Sequence, residues 1–185
     1  RREVWRILDL YEPFLTPEEL FPDDGADVTE VFAKHGAHLL EPETRRLMLP
    51  VQSFLVRTPD HLVLVDTGVG NDKTNNGTPA WHMLSSDRFM AGLTAAGASP
   101  EDVDYVLCTH LHPDHVGWNT YLDEGRWAPT FPNARYLFPK ADEAALATSG
   151  HPLYAESVQP LIEAGLADLV EGGHRVGDFI ELLPT

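Results

Sequence analysis

Short apolar runs, separated by polar turns and amphipathic segments, dominate the pattern of the chain. The runs 62–65 and 105–108 are almost wholly apolar, which is typical of strands whose sheet is covered on both faces. Between these runs, apolar residues recur at helical spacing after Ser86, at Phe89, Met90 and Leu93. The pattern therefore predicts an α/β fold in which a mixed sheet is flanked by helices.

The segment 11–50 departs from this pattern. Prolines interrupt it at Pro13, Pro17, Pro22, Pro42 and Pro50, so we predict that it is irregular. Irregular segments of this length usually have a function of their own. One interpretation is a solvated loop with a few apolar anchors; the other is an arm or lid that covers a site or contacts a second copy of the chain. Residues 1–185 are otherwise predicted to form a single domain, because a chain of this length can bury one sizeable core.

The charge and the cysteine content limit which binding partners and which cellular location we expect. Thirteen basic and 29 acidic residues give a formal charge of −16. Nucleic acids and anionic membranes are bound through Lys and Arg, so we expect neither as a partner. No apolar run approaches the ~18 residues of a membrane span, and no signal peptide is visible. Cys108 is the only cysteine and is interpreted as a core residue, so we expect no intrachain disulfide and a cytoplasmic location.

Three histidines and one aspartate follow the apolar run 105–108 within six residues: His110, His112, Asp114 and His115. Alternate side chains of an extended segment point to the same side, so His110 and His112 can face one ion. Asp114 and His115 come where the chain turns and can face a second ion. Imidazole suits zinc, iron, nickel and cobalt, and a carboxylate adds manganese. A histidine-rich surface loop is the alternative, but so dense a set of donors favours metal binding.

The spacing His-x-His-x-Asp-His after a strand resembles the signature of the metallo-β-lactamase superfamily. The run 62–68, which ends in Asp66-Thr67-Gly68, resembles an earlier strand of the same family, and Trp118-Asn119 resembles its lactonase-like branch. The resemblance implies that the four loop residues are metal ligands and that Asp114 also carries a proton to the leaving group. It implies that Asp66 steadies the loop without being a ligand. From the residues alone, Asp66 could equally cap the following turn, and a bare Asp-Thr-Gly also resembles the aspartic protease motif.

The resemblance also implies a reaction. We expect two divalent ions, zinc in the first place, with iron, manganese, cobalt and nickel as alternatives. The implied activity is hydrolysis of a small ester or lactone, such as an acyl-homoserine lactone, by metal-activated hydroxide. A β-lactam, a thioester or a phosphotriester is an alternative substrate, and a non-catalytic module of the same fold is an alternative function. A small-molecule substrate is the expected partner, with a homodimer left open. Three aromatic residues after the loop either line the substrate pocket or pack the core: Tyr121, Trp127 and Phe131.

The donors within the chain fall short of a complete site. In the resembled family, a strand like 180–183 precedes the next metal-binding histidine, and a bridging aspartate and a last histidine come later. The loop supplies two donors for each ion, whereas a stable zinc site usually has about three or more protein ligands. His174 is not expected to be a third ligand. We therefore predict that this chain is the N-terminal portion of an αβ/βα sandwich whose second half is missing, and that it holds metal weakly or not at all.

Overall fold

The computed structural model describes residues 2–23, 25–75 and 78–184, without the side chains of 25–27 and 29. The chain divides into two compact units, one formed by residues 1–9 with 52–185 and one by residues 10–51. Among the described residues, no helix is both long and apolar enough to cross a membrane.

The described residues form ten strands: β1 (Glu3–Pro13), β2 (Met48–Arg57), β3 (Leu62–Val65), β4 (Tyr105–Leu107), β5 (Thr120–Asp123), β6 (Arg126–Pro129), β7 (Arg135–Pro139), β8 (Ala167–Val170), β9 (Arg175–Val176) and β10 (Ile180–Glu181). Six of them make one sheet in the order β1-β2-β3-β4-β7-β8. Strands β2 and β3 pair antiparallel, whereas β3, β4, β7 and β8 run parallel. The carboxyl ends of β3 and β4 therefore lie at the same edge of the sheet.

The described α-helices are α1 (Pro17–Leu20), α2 (Gly25–His35), α3 (Arg88–Ala95), α4 (Pro113–Val116), α5 (Lys140–Ser149), α6 (Pro152–Ser157) and α7 (Gln159–Glu163). On one face of the sheet, Val106 and Tyr136 pack with residues of α3, α6 and α7 in the main core cluster. On the other face, Leu107 and Leu137 form a second cluster with Val176 of β9. Successive residues of β4 thus enter different clusters, and the predicted mixed sheet with flanking helices is confirmed.

The smaller unit, residues 10–51, is not irregular as predicted, because it contains α1 and α2. Helix α1 begins with a capping box, in which the Thr16 hydroxyl accepts from the Glu19 N–H at 3.2 Å and the Glu19 carboxylate accepts from the Thr16 N–H at 2.8 Å. Pro17 occupies the first turn, where a missing N–H costs nothing, so this proline starts a helix and does not interrupt one. The role of 11–50 as an arm or lid stays a prediction.

The stretch 119–133, in which Pro129 and Pro132 favour an extended loop, instead contains the hairpin of β5 and β6. Glu124 and Gly125 form its tight turn, with φ values of 48° and 81°. Positive φ at both central residues is the geometry that a two-residue hairpin requires.

The helical segment 152–163 is divided into α6 and α7 at Val158, whose φ is −125°. Pro160 causes the division, because it has no N–H to donate to the carbonyl of Glu156 four residues earlier. That carbonyl accepts from Lys73 and Thr120 instead.

Candidate metal site and the loop that carries it

The four donors predicted from the sequence lie together at the carboxyl end of β4. His112 precedes α4, and Pro113 begins this short helix, which carries Asp114 in its first turn and His115 in its last. The ring centroids of His110 and His112 are 4.5 Å apart, and those of His110 and His115 are 3.9 Å apart. Asp114 Oδ2 lies 3.3 Å from His115 Nε2. One helical turn after a strand is thus sufficient to collect three imidazoles and a carboxylate.

The cluster is arranged as a hydrogen-bonded group. Within the described ranges, no set of three or more His, Cys, Asp or Glu side chains is placed so that it could hold a metal ion. His115 Nε2 faces Asp114, so two of the predicted ligands contact each other. The chemistry of the donor set nevertheless fits a divalent cation, since imidazole nitrogens and a carboxylate are its common protein ligands.

Asp66 connects the end of β3 to this loop. Its Oδ1 accepts a hydrogen bond from the Thr109 N–H at 2.8 Å, and its Oδ2 lies 2.9 Å from His115 Nδ1. The Thr109 hydroxyl contacts both carboxylate oxygens. A carboxylate on Nδ1 fixes the orientation of the imidazole and directs Nε2 away from it, which here is toward Asp114.

Electrostatics within the cluster separate the two central histidines. Partial burial lowers the pKa of His115, but its hydrogen bonds to Asp114 and Asp66 outweigh this effect and raise the pKa to about 9. Burial, together with the nearby His115 and His112, lowers the pKa of His110. Burial acts to raise the pKa of Asp114, yet the hydrogen bond from His115 holds it below its ordinary value. The two carboxylates thus favour the imidazolium form of His115, whereas the surroundings of His110 favour its neutral form.

A backbone clasp holds the loop, and sequence reasoning did not find it. The Thr67 N–H donates to the His115 carbonyl at 2.8 Å, the Gly117 N–H to the Gly68 carbonyl at 2.8 Å, and the Trp118 N–H to the Thr67 carbonyl at 2.9 Å. The two segments approach so closely that a Cβ on Gly70 would lie 2.5 Å from the Gly117 carbonyl. The glycines in both segments were the available sequence signal for this contact.

The aromatic residues after the loop have different surroundings. Phe131 is fully buried in the main core, and the ring of Trp127 lies 3.5 Å from Lys73 Nζ. Tyr121 lines a surface cleft together with Met90 and other residues. Packing therefore accounts for Phe131 and Trp127, and a pocket role stays a prediction for Tyr121.

Cys108 is buried, as the sequence suggested. Its thiol lies 3.9 Å from Asn119 Oδ1.

Comparison with known proteins gives the family. The model of the metallo-beta-lactamase superfamily matches residues 47–184. An N-acyl homoserine lactonase from Bacillus thuringiensis is 35% identical in an alignment over 150 residues, with a coverage of 75% of this chain and 54% of that protein.

Two solved structures have the same fold. One is described as AidC, a dizinc quorum-quenching lactonase; its TM-score is 0.68 at 18% identity, over 96% of this chain and 60% of that one. The other is an N-acyl homoserine lactone hydrolase with the product N-hexanoyl-L-homoserine bound at the catalytic metal center. Its TM-score is 0.62 at 24% identity, over 97% of this chain and 64% of that one. The chain spans about half the length of the curated relatives that it matches, 54% for the Bacillus enzyme. With a superfamily model matched from residue 47 to residue 184, the chain belongs to the metallo-β-lactamase superfamily.

Proposed function

We propose that the whole protein is a metal-dependent hydrolase of small lactones, with N-acyl homoserine lactones as the leading substrate class. The observation that carries the proposal is the clustering of His110, His112, Asp114 and His115 at the end of β4, with Asp66 bonded to His115. Relatives that the chain matches are named N-acyl homoserine lactonases, which supports this substrate class.

In this proposal His110 and His112 hold one divalent ion, zinc in the first place, and Asp114 and His115 hold a second. A bound ion of this kind lowers the pKa of its water to about 7 and so makes hydroxide available at neutral pH. Two donors for each ion are fewer than the roughly three that zinc usually has, so further donors are needed. On its own, the 185-residue chain is therefore proposed to bind metal weakly and to be inactive.

The chain's own residues supply orientation and proton transfer. Asp66 holds the Nδ1 side of His115 and so orients Nε2, which contacts Asp114 and would be the nitrogen that holds the ion. Opening a lactone adds a hydroxyl to the acyl carbon and requires a proton on the departing ring oxygen. Asp114 is proposed to carry that proton, since its carboxylate already holds a hydrogen bond with a proton donor, His115, at 3.3 Å.

Charge favours a neutral substrate over an anionic polymer. The chain carries a formal charge of −16, which repels nucleic acid and gives a neutral lactone no penalty. A β-lactam, a thioester and a phosphotriester are the alternative substrates. A homodimer and a cytoplasmic location stay predictions.

A non-catalytic module of the same fold is the second candidate function. It is favoured by the direct contact between Asp114 and His115, and by the finding that no three donors in the described residues are placed to hold an ion.

An assay of the full-length protein separates the two functions. The substrates are a panel of N-acyl homoserine lactones, tested before and after chelation and after zinc is restored. Hydrolysis is expected to disappear with chelator, to return with zinc, and to fall to background in His112→Ala. His82→Ala, which changes an exposed histidine outside the loop, is the control and is expected to keep the parent rate. Hydrolysis that resists chelation, or none with zinc restored, would contradict the enzyme.

A further inference from the structure

A carboxylate outside the histidine loop lies under the turn that follows β3. Asp9, on β1, is 0% exposed. Its Oδ2 accepts a hydrogen bond from the Val69 N–H at 2.8 Å, the Gly70 N–H also donates to the carboxylate, and Oδ1 lies 3.4 Å from the indole nitrogen of Trp118. Burial raises the pKa of Asp9, and these three donors oppose that rise. Burying a carboxylate is unfavourable unless hydrogen-bond donors compensate for the lost water. The three donors around Asp9 provide this compensation.

The turn is shaped to receive an anion. Asp66, Gly68 and Gly70 have φ values of 59°, 59° and 74°, all in the left-handed region. Alternating left-handed residues direct successive N–H groups into one concave site, a type of backbone cradle that binds anions. Asp9 occupies this cradle so tightly that a Cβ on Gly68 would overlap its Oδ2.

The same turn is half of the clasp on the metal loop. Thr67 bonds to both His115 and Trp118, and Gly68 accepts from Gly117. Asp9 therefore reaches the loop by two routes, through the backbone of the turn and through the indole of Trp118. The alternative is that the Asp9 carboxylate has a purely local role. In that case only the first residues of the turn would depend on Asp9.

We propose that Asp9 is a positioning residue for the metal loop: its carboxylate fills the cradle of the turn, holds Trp118, and so fixes the backbone from which Asp66 and His115 project. The consequence for metal binding rests on the proposed function; the consequence for the clasp does not.

The test is Asp9→Asn, which keeps the shape but replaces one acceptor oxygen by an N–H₂ donor facing backbone donors. Amide hydrogen exchange in the metal-free full-length protein is expected to quicken by about 10-fold or more at Val69, Gly70, Gly117 and Trp118, beyond any change in global stability measured with urea. In the full-length protein the dissociation constant for Zn²⁺ is expected to rise about 10-fold, as is typical when a group that orients ligands is lost. Glu156→Gln is the matched control, because Glu156 is a buried carboxylate that accepts from the Thr74 N–H, outside the clasp.

Three results would overturn the proposal: a folded Asp9→Asn with parental exchange in the clasp, quicker exchange with unchanged Zn²⁺ affinity, or an equal effect of Glu156→Gln. If Asp9→Asn does not fold, Trp118→Phe removes the indole N–H that contacts Asp9 and leaves a smaller phenyl ring beside Phe89, where the parent ring centroids are 5.5 Å apart. The same two measurements then apply, with smaller effects in the same direction expected and parental values counting against the proposal. A full-length parent that binds no Zn²⁺ would count against the proposed function, while the exchange measurement would still decide the role of Asp9 in the clasp.

Discussion

Lys73 is a buried lysine, and its replacement should change how the free energy of unfolding depends on pH. The residue is 1% exposed, and its Nζ donates to Thr120 Oγ1 at 2.6 Å and to the Glu156 carbonyl at 3.2 Å. The ring centroid of Trp127 lies 3.5 Å away. Burial is the largest effect on this group and lowers the pKa of Lys73 to about 7, although Glu156 and Asp72 attract the charge.

The sign and size of the effect follow from linkage. In the unfolded chain the pKa of Lys73 is about 10.4, so between pH 7 and about 10 the unfolded state binds nearly one more proton here than the folded state. The free energy of unfolding of the parent therefore gains just over 1 kcal/mol per pH unit from this residue as the pH rises. Lys73→Met keeps most of the buried chain and lacks this gain. Between pH 8 and 9.5 the parent should gain about 2 kcal/mol relative to the variant.

The assay is urea unfolding of both proteins from pH 6 to 9.5 at constant ionic strength. His115, whose raised pKa is about 9, contributes stability that is present below its unfolded pKa and is lost as the pH rises through 9. Both proteins contain His115, so this loss cancels in their difference. Lys140→Met is the control, because Lys140 has a side chain 62% exposed and paired with Glu171. A parent-minus-variant difference for Lys73 that does not change with pH, or changes with the opposite sign, would refute the reasoning.

Three further changes have distinct expected results. Asp66→Asn, which weakens the hold on His115 Nδ1, should reduce the Zn²⁺ affinity of the full-length protein about 10- to 100-fold in a competition with a chelator; an unchanged affinity would contradict the steadying role. Gly70→Ala should lower the free energy of unfolding by at least about 3 kcal/mol in urea, since φ is 74° and the new Cβ would lie 2.5 Å from the Gly117 carbonyl. Gly97→Ala, with a φ of 73° but nothing within 4 Å of its Cβ, should cost only about 1 kcal/mol, and equal losses would exclude the steric argument. Asp168→Ala should cost less than about 1 kcal/mol in urea, because its ion pair with Arg135 is largely exposed; a loss above about 2 kcal/mol would be inconsistent with a surface pair.

Local pattern was sufficient to predict the elements that carry the site. The runs 62–65 and 105–108 consist of apolar residues that form strands buried on both faces, and the structure has β3 and β4 there. The family was also predictable, since the histidine spacing is local in sequence. The ligand role of the loop stays a prediction, because it depends on an ion as well as on spacing.

Contacts between distant segments could not be predicted in the same way. Where α6 ends and α7 begins, the Glu156 carbonyl receives no hydrogen bond from Pro160, and Lys73 and Thr120, which are distant in sequence, donate to it instead. Asp9 lies in β1, where apolar and polar residues are mixed, so its sequence context does not indicate that the carboxylate is buried. Its burial depends on a turn some 60 residues later, with left-handed residues that the sequence indicates only through Gly68 and Gly70.

Metal binding by the loop after β4 in the whole protein can be tested directly. Anomalous diffraction at the zinc edge, from crystals of the zinc-loaded full-length protein, locates the ions directly. We expect one peak within about 2.3 Å of His110 and His112 nitrogens and a second at the same distance from Asp114 and His115. Zinc bound elsewhere, with these four side chains still bonded only to each other and to Asp66, would contradict it.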